Sequence, residues 1–313
     1  MSRVLLLVNA VADDPVHDAG GLRRVDHRLL RDALDADVVD LEVVGRSLLG
    51  RLVRRVAGNY VALAVLGFLR VLRGRADAVF CDNENEALVL ALLLKTARRR
   101  PAVVTYAVYP GARKKALLFR LLGVHTHVDR WLPYNTVQAE RLVLRRGVPP
   151  ERVQVLPYYA DEVFFDRAAT QAYAGRPSER PYVLAVGRQH RDHQLLVEVA
   201  ESLPADVVIA AGSLFSKTPD QLTGRPLPPG VSVVTLDYVT LRDAYRDAAV
   251  VVVPTLEEDF APGLTALAEA MSMGCPVVYT RAQGSGDYLA DRRALLRPPG
   301  QARPTRGLMA AHL

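Results

Sequence analysis

Short β-branched runs alternate with helical patterns along the whole chain, and this alternation limits the fold more than any other feature. Val250–Val253, for example, consists only of valine. Such runs, each followed by a helix-length pattern, predict βαβ units around parallel sheets. The predicted strands are Val4–Val8, Val38–Val43, Ala78–Cys81, Ala102–Val108, Val128–Leu132, Val153–Leu156, Tyr182–Val186, Val207–Ala211, Val231–Leu236, Val250–Val253 and Val277–Tyr279. Ligands bind beyond the carboxyl ends of such strands, so we expect function in the loops that follow them.

The alternation stops once, which divides the chain. Residues 166–181 lose periodicity and gather Gly, Pro, Ser and Arg, as linkers do. A chain of 313 residues also suits two domains better than one. The sequence therefore predicts a first domain at 1–166, a linker at 167–181 and a second domain at 182–313.

Composition indicates a soluble globular protein. Half of the residues are apolar and about a quarter are charged. The longest uncharged apolar run, Val61–Leu69, is less than half of the ~20 residues that a transmembrane helix needs. The apolar N-terminal stretch breaks at Asn9 and is more typical of a buried strand than of a signal peptide. We expect a cytoplasmic protein, with Cys81 and Cys275 as reduced core thiols.

A small apolar helix is predicted from Gly263 to Gly274, and Glu269 is its only charged residue. Four residues fall at i, i+3, i+4 and i+7 and predict a buried face: Leu264, Leu267, Ala268 and Met271. Glu269 lies on another side, with Thr265 and Ser272. Free N–H groups at the helix start would favour an anion, and a carboxylate one to two turns further on could accept hydrogen bonds from a ribose. The alternative is an ordinary exposed glutamate.

A second candidate site lies where a predicted strand ends at Gly187 and Arg188, with Arg191 in the following turn. Two guanidiniums at one strand end can clamp a diphosphate through paired hydrogen bonds. The alternative is a pair of surface arginines beside a helix cap. His190 and His193 have H-x-x-H spacing but no third ligand, so we predict no metal site.

The segment "PTLEEDFAPGLTALAEAMSMGCPVVYT", residues 254–280, resembles the donor-site signature of the retaining family 4 glycosyltransferases, E-x7-E-A-M-A-x-G-x-P-V-V. One position departs from this signature, because Ala261 stands where its first glutamate would be. Three acidic residues lie slightly earlier and are candidates for that role: Glu257, Glu258 and Asp259. The resemblance implies an α/β GT-B fold, in which two doubly wound Rossmann-like domains face a cleft. It also implies that the C-terminal domain is truncated, since the family continues through further helices.

The resemblance assigns roles to individual residues. Glu269 would hold the nucleotide ribose, while Arg188 and Arg191 would stabilise the departing diphosphate, the latter in place of the family's lysine. These three are the implied catalytic residues. The implied donor-binding residues are Gly20, Gly21, Gly187, Tyr238, Val239, Gly263, Leu264 and Thr265.

The implied activity is transfer of a sugar, with retention, from a nucleotide-sugar donor to a glycan, lipid-linked or small-molecule acceptor, as in cell-envelope or polysaccharide biosynthesis. No cofactor or metal is implied. Residues 83–86 are a candidate acceptor surface on the first domain. The alternative is a catalytically silent GT-B remnant that binds nucleotide or a partner. A Rossmann oxidoreductase is disfavoured, because no G-x-G-x-x-G follows a predicted strand.

Much of the net charge of +6 comes from residues 46–75, which contain seven arginines and no acidic residue. Five apolar residues there share one predicted helical face: Leu48, Leu49, Leu52, Val53 and Val56. Arg51, Arg54 and Arg55 lie on the other face. Such a helix either binds an anionic surface, such as the inner face of a membrane, or packs internally with a solvated face. Nucleic acid is not expected, because no aromatic residues interleave the arginines.

Overall fold

The computed structural model describes residues 3–16, 18–98, 100–109, 113–212, 222, 224–256, 258, 260–289 and 294–297. The chain divides into two compact units, Met1–Pro157 and Tyr158–Leu313. Each unit contains one parallel sheet, which confirms the predicted pair of doubly wound α/β domains. The predicted linker, residues 167–181, lies inside the second unit.

The first unit has a five-stranded sheet in the order β2-β1-β3-β4-β5. Its strands are β1 (Val4–Leu7), β2 (Asp37–Val39), β3 (Ala78–Cys81), β4 (Ala102–Ala107) and β5 (Arg130–Pro133). Its helices are α1 (Asp26–Leu34), α2 (Leu41–Arg46), α3 (Leu48–Ala57), α4 (Asn59–Leu72), α5 (Glu84–Leu94), α6 (Arg113–Leu122) and α7 (Thr136–Arg146). Leu5 and Leu7 of β1 are fully buried, as expected for a sheet covered on both faces.

Two predicted strands of this unit are wrong in extent. The strand predicted at Val38–Val43 ends at Val39, because the Asp40 side chain accepts a hydrogen bond from the Val43 N–H at 2.8 Å and caps α2. The strand predicted at Val153–Leu156 is a single bridge from Val153 to Trp131.

The second unit has a six-stranded sheet in the order β11-β10-β9-β6-β7-β8. Its strands are β6 (Tyr182–Val186), β7 (Asp206–Ala210), β8 (Val231–Val234), β9 (Val250–Val253), β10 (Val277–Thr280) and β11 (Ala294–Arg297). Its helices are α8 (His193–Ala200), α9 (Tyr238–Asp247) and α10 (Leu264–Ser272). The segment before β6 packs into this unit, because Phe165 lies edge-on against Tyr245 and the Tyr173 N–H donates to Asp247 at 2.8 Å.

Each sheet has one point at which the strand order changes direction. In the first unit β1 leads to β2 on one side, and β3 then pairs with the other side of β1. In the second unit β6 leads outward to β7 and β8, and β9 then returns to the free side of β6. Open α/β sheets bind ligands beyond the strand ends at such switch points. The fold therefore indicates one candidate site in each unit.

The apolar run Val61–Leu69 lies within α4, which has 14 residues. Leu63 and Ala64 of this run are fully buried in the core of the first unit. Across the described residues, every helix is too short or too polar to cross a membrane.

Gly50 offers a test of the packing between α2 and α3. A Cβ atom at Gly50 would lie 2.6 Å from the carbonyl oxygen of Val44, whereas one at Gly45 of α2 would meet nothing within 4 Å. We expect Gly50→Ala to lower the free energy of unfolding by about 1–3 kcal/mol through overpacking. Gly45→Ala should be neutral or stabilising by up to about 1 kcal/mol, because alanine favours helix. Urea unfolding measures both, and equal effects would contradict the packing described.

Candidate functional site

The switch point of the second unit is built by two loops, one after β6 and one after β9. The Asp192 N–H donates to the Pro254 carbonyl at 2.7 Å, and the Leu256 N–H donates to the His190 carbonyl at 3.0 Å. Arg191 and Thr255 form an antiparallel bridge between these contacts. The loops are therefore fixed side by side at the carboxyl ends of two adjacent strands.

Arg191 lies buried at the centre of this arrangement. Its Nε donates to the Val186 carbonyl at 3.1 Å, and its Nη1 donates to the Gln189 carbonyl at 2.9 Å. A Cβ atom would lie 2.7 Å from Nη2 at Gly187 and 3.1 Å from it at Gly263. Both glycines also have positive φ, at 99° and 88°. Only glycine lets the two backbone segments approach the guanidinium this closely.

The charge of Arg191 has no carboxylate partner among the described residues. Burial lowers the pKa of Arg191, because it penalises the charged form. Arginine nevertheless stays protonated in proteins. A buried cation without a counter-charge is costly, so an anion that reached this guanidinium would be bound favourably.

Arg188 supplies a second guanidinium at the same strand end. It follows Gly187 directly and is partly buried. Its Nε is buried and has no hydrogen-bond partner among the residues that the structure describes. Arg188, Arg191 and Gly187 therefore lie together, as the sequence predicted, while their functional roles stay predictions.

The N-terminus of α10 points its backbone donors into the same site. Gly263 caps the helix in the left-handed conformation without a side-chain hydrogen bond. In the described part of the chain, the N–H groups of Gly263, Leu264 and Thr265 have no acceptor. The hydroxyl of Tyr279 donates to the Pro262 carbonyl and supports the turn before the helix. Free donors at a helix start favour an anion such as phosphate.

Glu269 is buried, with 4% of its surface exposed, so its interpretation as an ordinary exposed glutamate is wrong. Its Oε2 accepts a hydrogen bond from the Tyr245 hydroxyl at 3.0 Å. Burial raises the pKa of Tyr245 well above its usual range, and the neighbouring carboxylate raises it further. Tyr245 therefore stays a hydrogen-bond donor to Glu269.

The predicted buried face of α10 is wrong in part. Met271 is 48% exposed, and Ala268 is only half-buried. The buried residues are Leu264, Ala266, Leu267, Glu269 and Ala270. The polar side of the helix has partners as well: Thr265 donates to the Tyr158 hydroxyl at 2.9 Å, and Ser272 donates to the Phe165 carbonyl at 2.9 Å.

The acidic loop before α10 is only partly described. Ala261 is buried. Glu258 accepts from Nδ1 of His190 at 2.6 Å, and the His190 ring packs edge-on against Phe260. The other two acidic candidates, Glu257 and Asp259, lie outside the described residues.

The two histidines of the H-x-x-H pattern have separate partners. His190 contacts Glu258, whereas Nε2 of His193 donates to the Gly187 carbonyl at 2.8 Å. Within the described ranges, no three His, Cys, Asp or Glu side chains are grouped as metal ligands would be.

Tyr238 and Val239 follow a strand that does not border the switch point. They form the first turn of α9, where the Asp237 side chain accepts from the Thr240 N–H at 2.7 Å. The helix follows β8, which β7 separates from β6. Gly20 and Gly21 belong to the first unit, in a turn between β1 and α1 with φ of 70° and 92°.

The switch point of the first unit contains two neighbouring carboxyl groups, of which Glu86 is buried and Asp82 is half-buried. Asp82 follows β3 and accepts from the Asn9 N–H at 2.8 Å, and Glu86 accepts from the Asn83 N–H at 3.1 Å. Burial raises the pKa of Asp82 and raises that of Glu86 well above its usual range, the latter also because Asp82 is adjacent. Glu84 pairs with Lys115 and is 1% exposed. Two of the four residues predicted as an acceptor surface, Glu84 and Glu86, are therefore internal.

Comparison with known proteins finds a family match within the second unit. Residues 180–306 match the family model of the glycosyl transferases group 1. We call this matched stretch the group 1 segment. It contains Arg188, Arg191, α10 and Glu269.

A curated relative of this chain is D-inositol 3-phosphate glycosyltransferase 2 of Catenulispora acidiphila. It is 28% identical over 209 residues, which cover 56% of this chain and 46% of the relative. The match therefore spans about half the length of that relative.

Solved structures show that the whole chain has the GT-B fold. Anabaena Alr3699/HepE in complex with UDP and glucose matches with a TM-score of 0.65 at 13% identity, over 99% of this chain and 89% of that chain. The UDP-forming α,α-trehalose-phosphate synthase of Burkholderia vietnamiensis matches with a TM-score of 0.67 at 14% identity, over 99% of this chain and 91% of that chain.

Tyr245 and Asp82 are site residues that the sequence did not predict. Tyr245 is separated from Glu269 by 24 residues, and no local pattern links a tyrosine in α9 to a glutamate in α10. Asp82 directly follows a predicted strand, so its position was a usable signal for a switch-point residue.

The contact between Tyr245 and Glu269 can be measured with a double-mutant cycle. Tyr245→Phe removes the donor from a buried carboxylate and should lower the free energy of unfolding by about 1–3 kcal/mol. In a Glu269→Ala background the same change should cost at least about 1 kcal/mol less, because the acceptor is already gone. Chemical denaturation of the wild type, the two single variants and the double variant gives the coupling free energy between the two side chains. Strictly additive losses of stability would contradict the hydrogen bond.

The pKa of Glu86 predicts a pH-dependent stability. Because its pKa is raised in the folded state, its stabilising contribution is complete below the unfolded pKa of about 4.3 and is lost as the pH rises through the folded value. Glu86→Gln keeps an acceptor for Asn83 and does not titrate. Relative to wild type, this variant should therefore gain stability between about pH 5 and about pH 8. Unfolding curves at both pH values measure the difference, and parallel profiles would refute it.

Proposed function

We propose that the protein is a retaining glycosyltransferase that moves a sugar from a nucleotide-sugar donor to an acceptor. One observation carries the proposal: Arg191, Arg188 and the unpaired N–H groups of α10 converge at the switch point of the second unit, within the group 1 segment. This is a site for an anion with several oxygens. A nucleoside diphosphate has that chemistry.

The proposed division of labour follows from charge and position. When the bond between the sugar's anomeric carbon and the diphosphate oxygen breaks, negative charge accumulates on the leaving phosphate. Arg188, Arg191 and the α10 N–H groups would stabilise that charge, an electrostatic form of catalysis that needs no metal. Glu269, held by Tyr245, would accept hydrogen bonds from the ribose hydroxyls.

The remaining assignments rest on the sequence resemblance. Gly20 and Gly21 would contact the donor, and Tyr238 and Val239 would contact the base. The acceptor, which is a glycan, a lipid-linked molecule or a small molecule, would bind the first unit. A cytoplasmic role in cell-envelope or polysaccharide biosynthesis stays a prediction.

A second candidate function is nucleotide binding without catalysis. The observation that favours it is Ala261, which is buried where the resembling signature has a glutamate. Binding without turnover would distinguish this silent remnant from an enzyme.

Calorimetric titration with a panel of nucleoside diphosphates and with inorganic diphosphate tests the proposed roles separately. Arg188→Ala should weaken the binding of both kinds of ligand by about 10- to 100-fold, because it removes a charge-assisted contact to phosphate. Glu269→Gln should weaken the binding of the nucleoside diphosphate and leave the binding of inorganic diphosphate unchanged, because only the nucleoside diphosphate has a ribose.

Matched controls lie on the surface of the same unit. Arg176→Ala and Glu201→Gln change exposed residues outside the switch point and should bind both ligands as wild type does. If the wild type releases nucleoside diphosphate from a nucleotide sugar and Arg188→Ala does not, the result supports the proposal that the protein is an enzyme. Tight binding without release supports the silent remnant, and no nucleotide binding by wild type contradicts both.

A further inference from the structure

Helix α3 exposes a row of large apolar side chains on the first unit. Leu48, Leu52 and Val56 are 77%, 62% and 80% exposed. Their i, i+4, i+8 spacing places them in one row along the helix. Arg51 and Arg55, also exposed, form the adjacent row. We call these five residues the α3 surface.

The packing of α3 fixes this orientation. Gly50 is buried, and a Cβ atom there would lie 2.6 Å from the Val44 carbonyl oxygen and 3.2 Å from Leu66. Val53 packs against the core of the first unit. Because these two residues form the inner side, the leucines must face outward. The interpretation of the leucines as the core-facing side of an internal helix is therefore wrong.

The charge of the α3 surface and of the neighbouring Arg54 is uncompensated within the described residues. Arg51, Arg54 and Arg55 are exposed, and none of them forms an ion pair there. Arg46, by contrast, pairs with Glu42 at 2.5 Å. The surface thus combines exposed leucines with free cations, which an ordinary solvated helix face does not.

We propose that the α3 surface docks the protein on an anionic lipid bilayer. Leu48, Leu52 and Val56 would enter the boundary between headgroups and acyl chains, and the neighbouring arginines would bind lipid phosphates. A second copy of the chain fits less well, because a symmetric contact would bring the same arginine rows together. Nucleic acid fits less well, because α3 has no aromatic residue on which a base could stack.

Flotation of the purified full chain with vesicles tests the proposal. Phosphatidylcholine vesicles that contain phosphatidylglycerol should carry the protein at low salt, and pure phosphatidylcholine vesicles should not. Changing Arg51, Arg54 and Arg55 together to Gln should weaken binding on the order of 100-fold. Changing Leu48, Leu52 and Val56 together to Ser should weaken it by at least about 10-fold at unchanged charge.

A matched control lies on α7 of the same unit. Leu144 is 80% exposed and Arg145 is exposed beside it. The double variant Leu144→Ser, Arg145→Gln should float as wild type does. The α3 variants are folded if their thermal unfolding is like that of wild type. If they also bind nucleoside diphosphate as wild type does, the α3 surface is separate from the proposed donor site.

Three results would overturn the proposal. The first is equal flotation of all variants. The second is binding that depends on the arginines alone, since lipid insertion needs the apolar row. The third is a wild-type dimer in sedimentation that the Leu48, Leu52, Val56 variant loses while its flotation is unchanged, since the row would then be a contact between copies.

Discussion

The buried guanidinium of Arg191 is the interaction on which the second unit's site depends. It donates to carbonyls of β6 and of the following turn, and Gly187 and Gly263 both pack against its Nη2 side. One side chain thereby ties a strand end to the start of α10. Its charge has no carboxylate partner among the described residues, so the two carbonyl contacts offset only part of the cost of burying it, and a bound anion would offset more. The stability of this loop and its proposed affinity for phosphate would then have the same physical origin.

The two sheets place opposite chemistry at equivalent positions. The switch point of the second unit holds a buried cation and free N–H donors, which suit phosphate oxygens. That of the first unit holds Asp82 and Glu86, whose raised pKa values favour a shared proton. Carboxyl groups of this kind exchange hydrogen bonds with hydroxyls rather than bind anions. This contrast agrees with the proposed donor site on the second unit.

Local patterns predicted the strands and the strand-end arginines well, because those features depend on near neighbours in the chain. The valines of β9 and the Gly187–Arg191 turn are examples. The environment of Glu269 could not be predicted in this way. It is buried because Tyr245 of α9 reaches it, and the same side of α10 contacts Tyr158 and Phe165. The sequence likewise left open which side of α3 faces outward, because only Gly50 shows which face can approach α2.

The central claim is that a nucleoside diphosphate binds at the switch point of the second unit, and a crystal structure of the complex tests it most directly. We expect the phosphates to lie within hydrogen-bond distance of Arg188, of Arg191 and of the N–H groups that begin α10. The ribose hydroxyls should meet the Glu269 carboxylate. A nucleotide bound elsewhere on the second unit, with Arg191 still surrounded only by protein carbonyls, would contradict the claim.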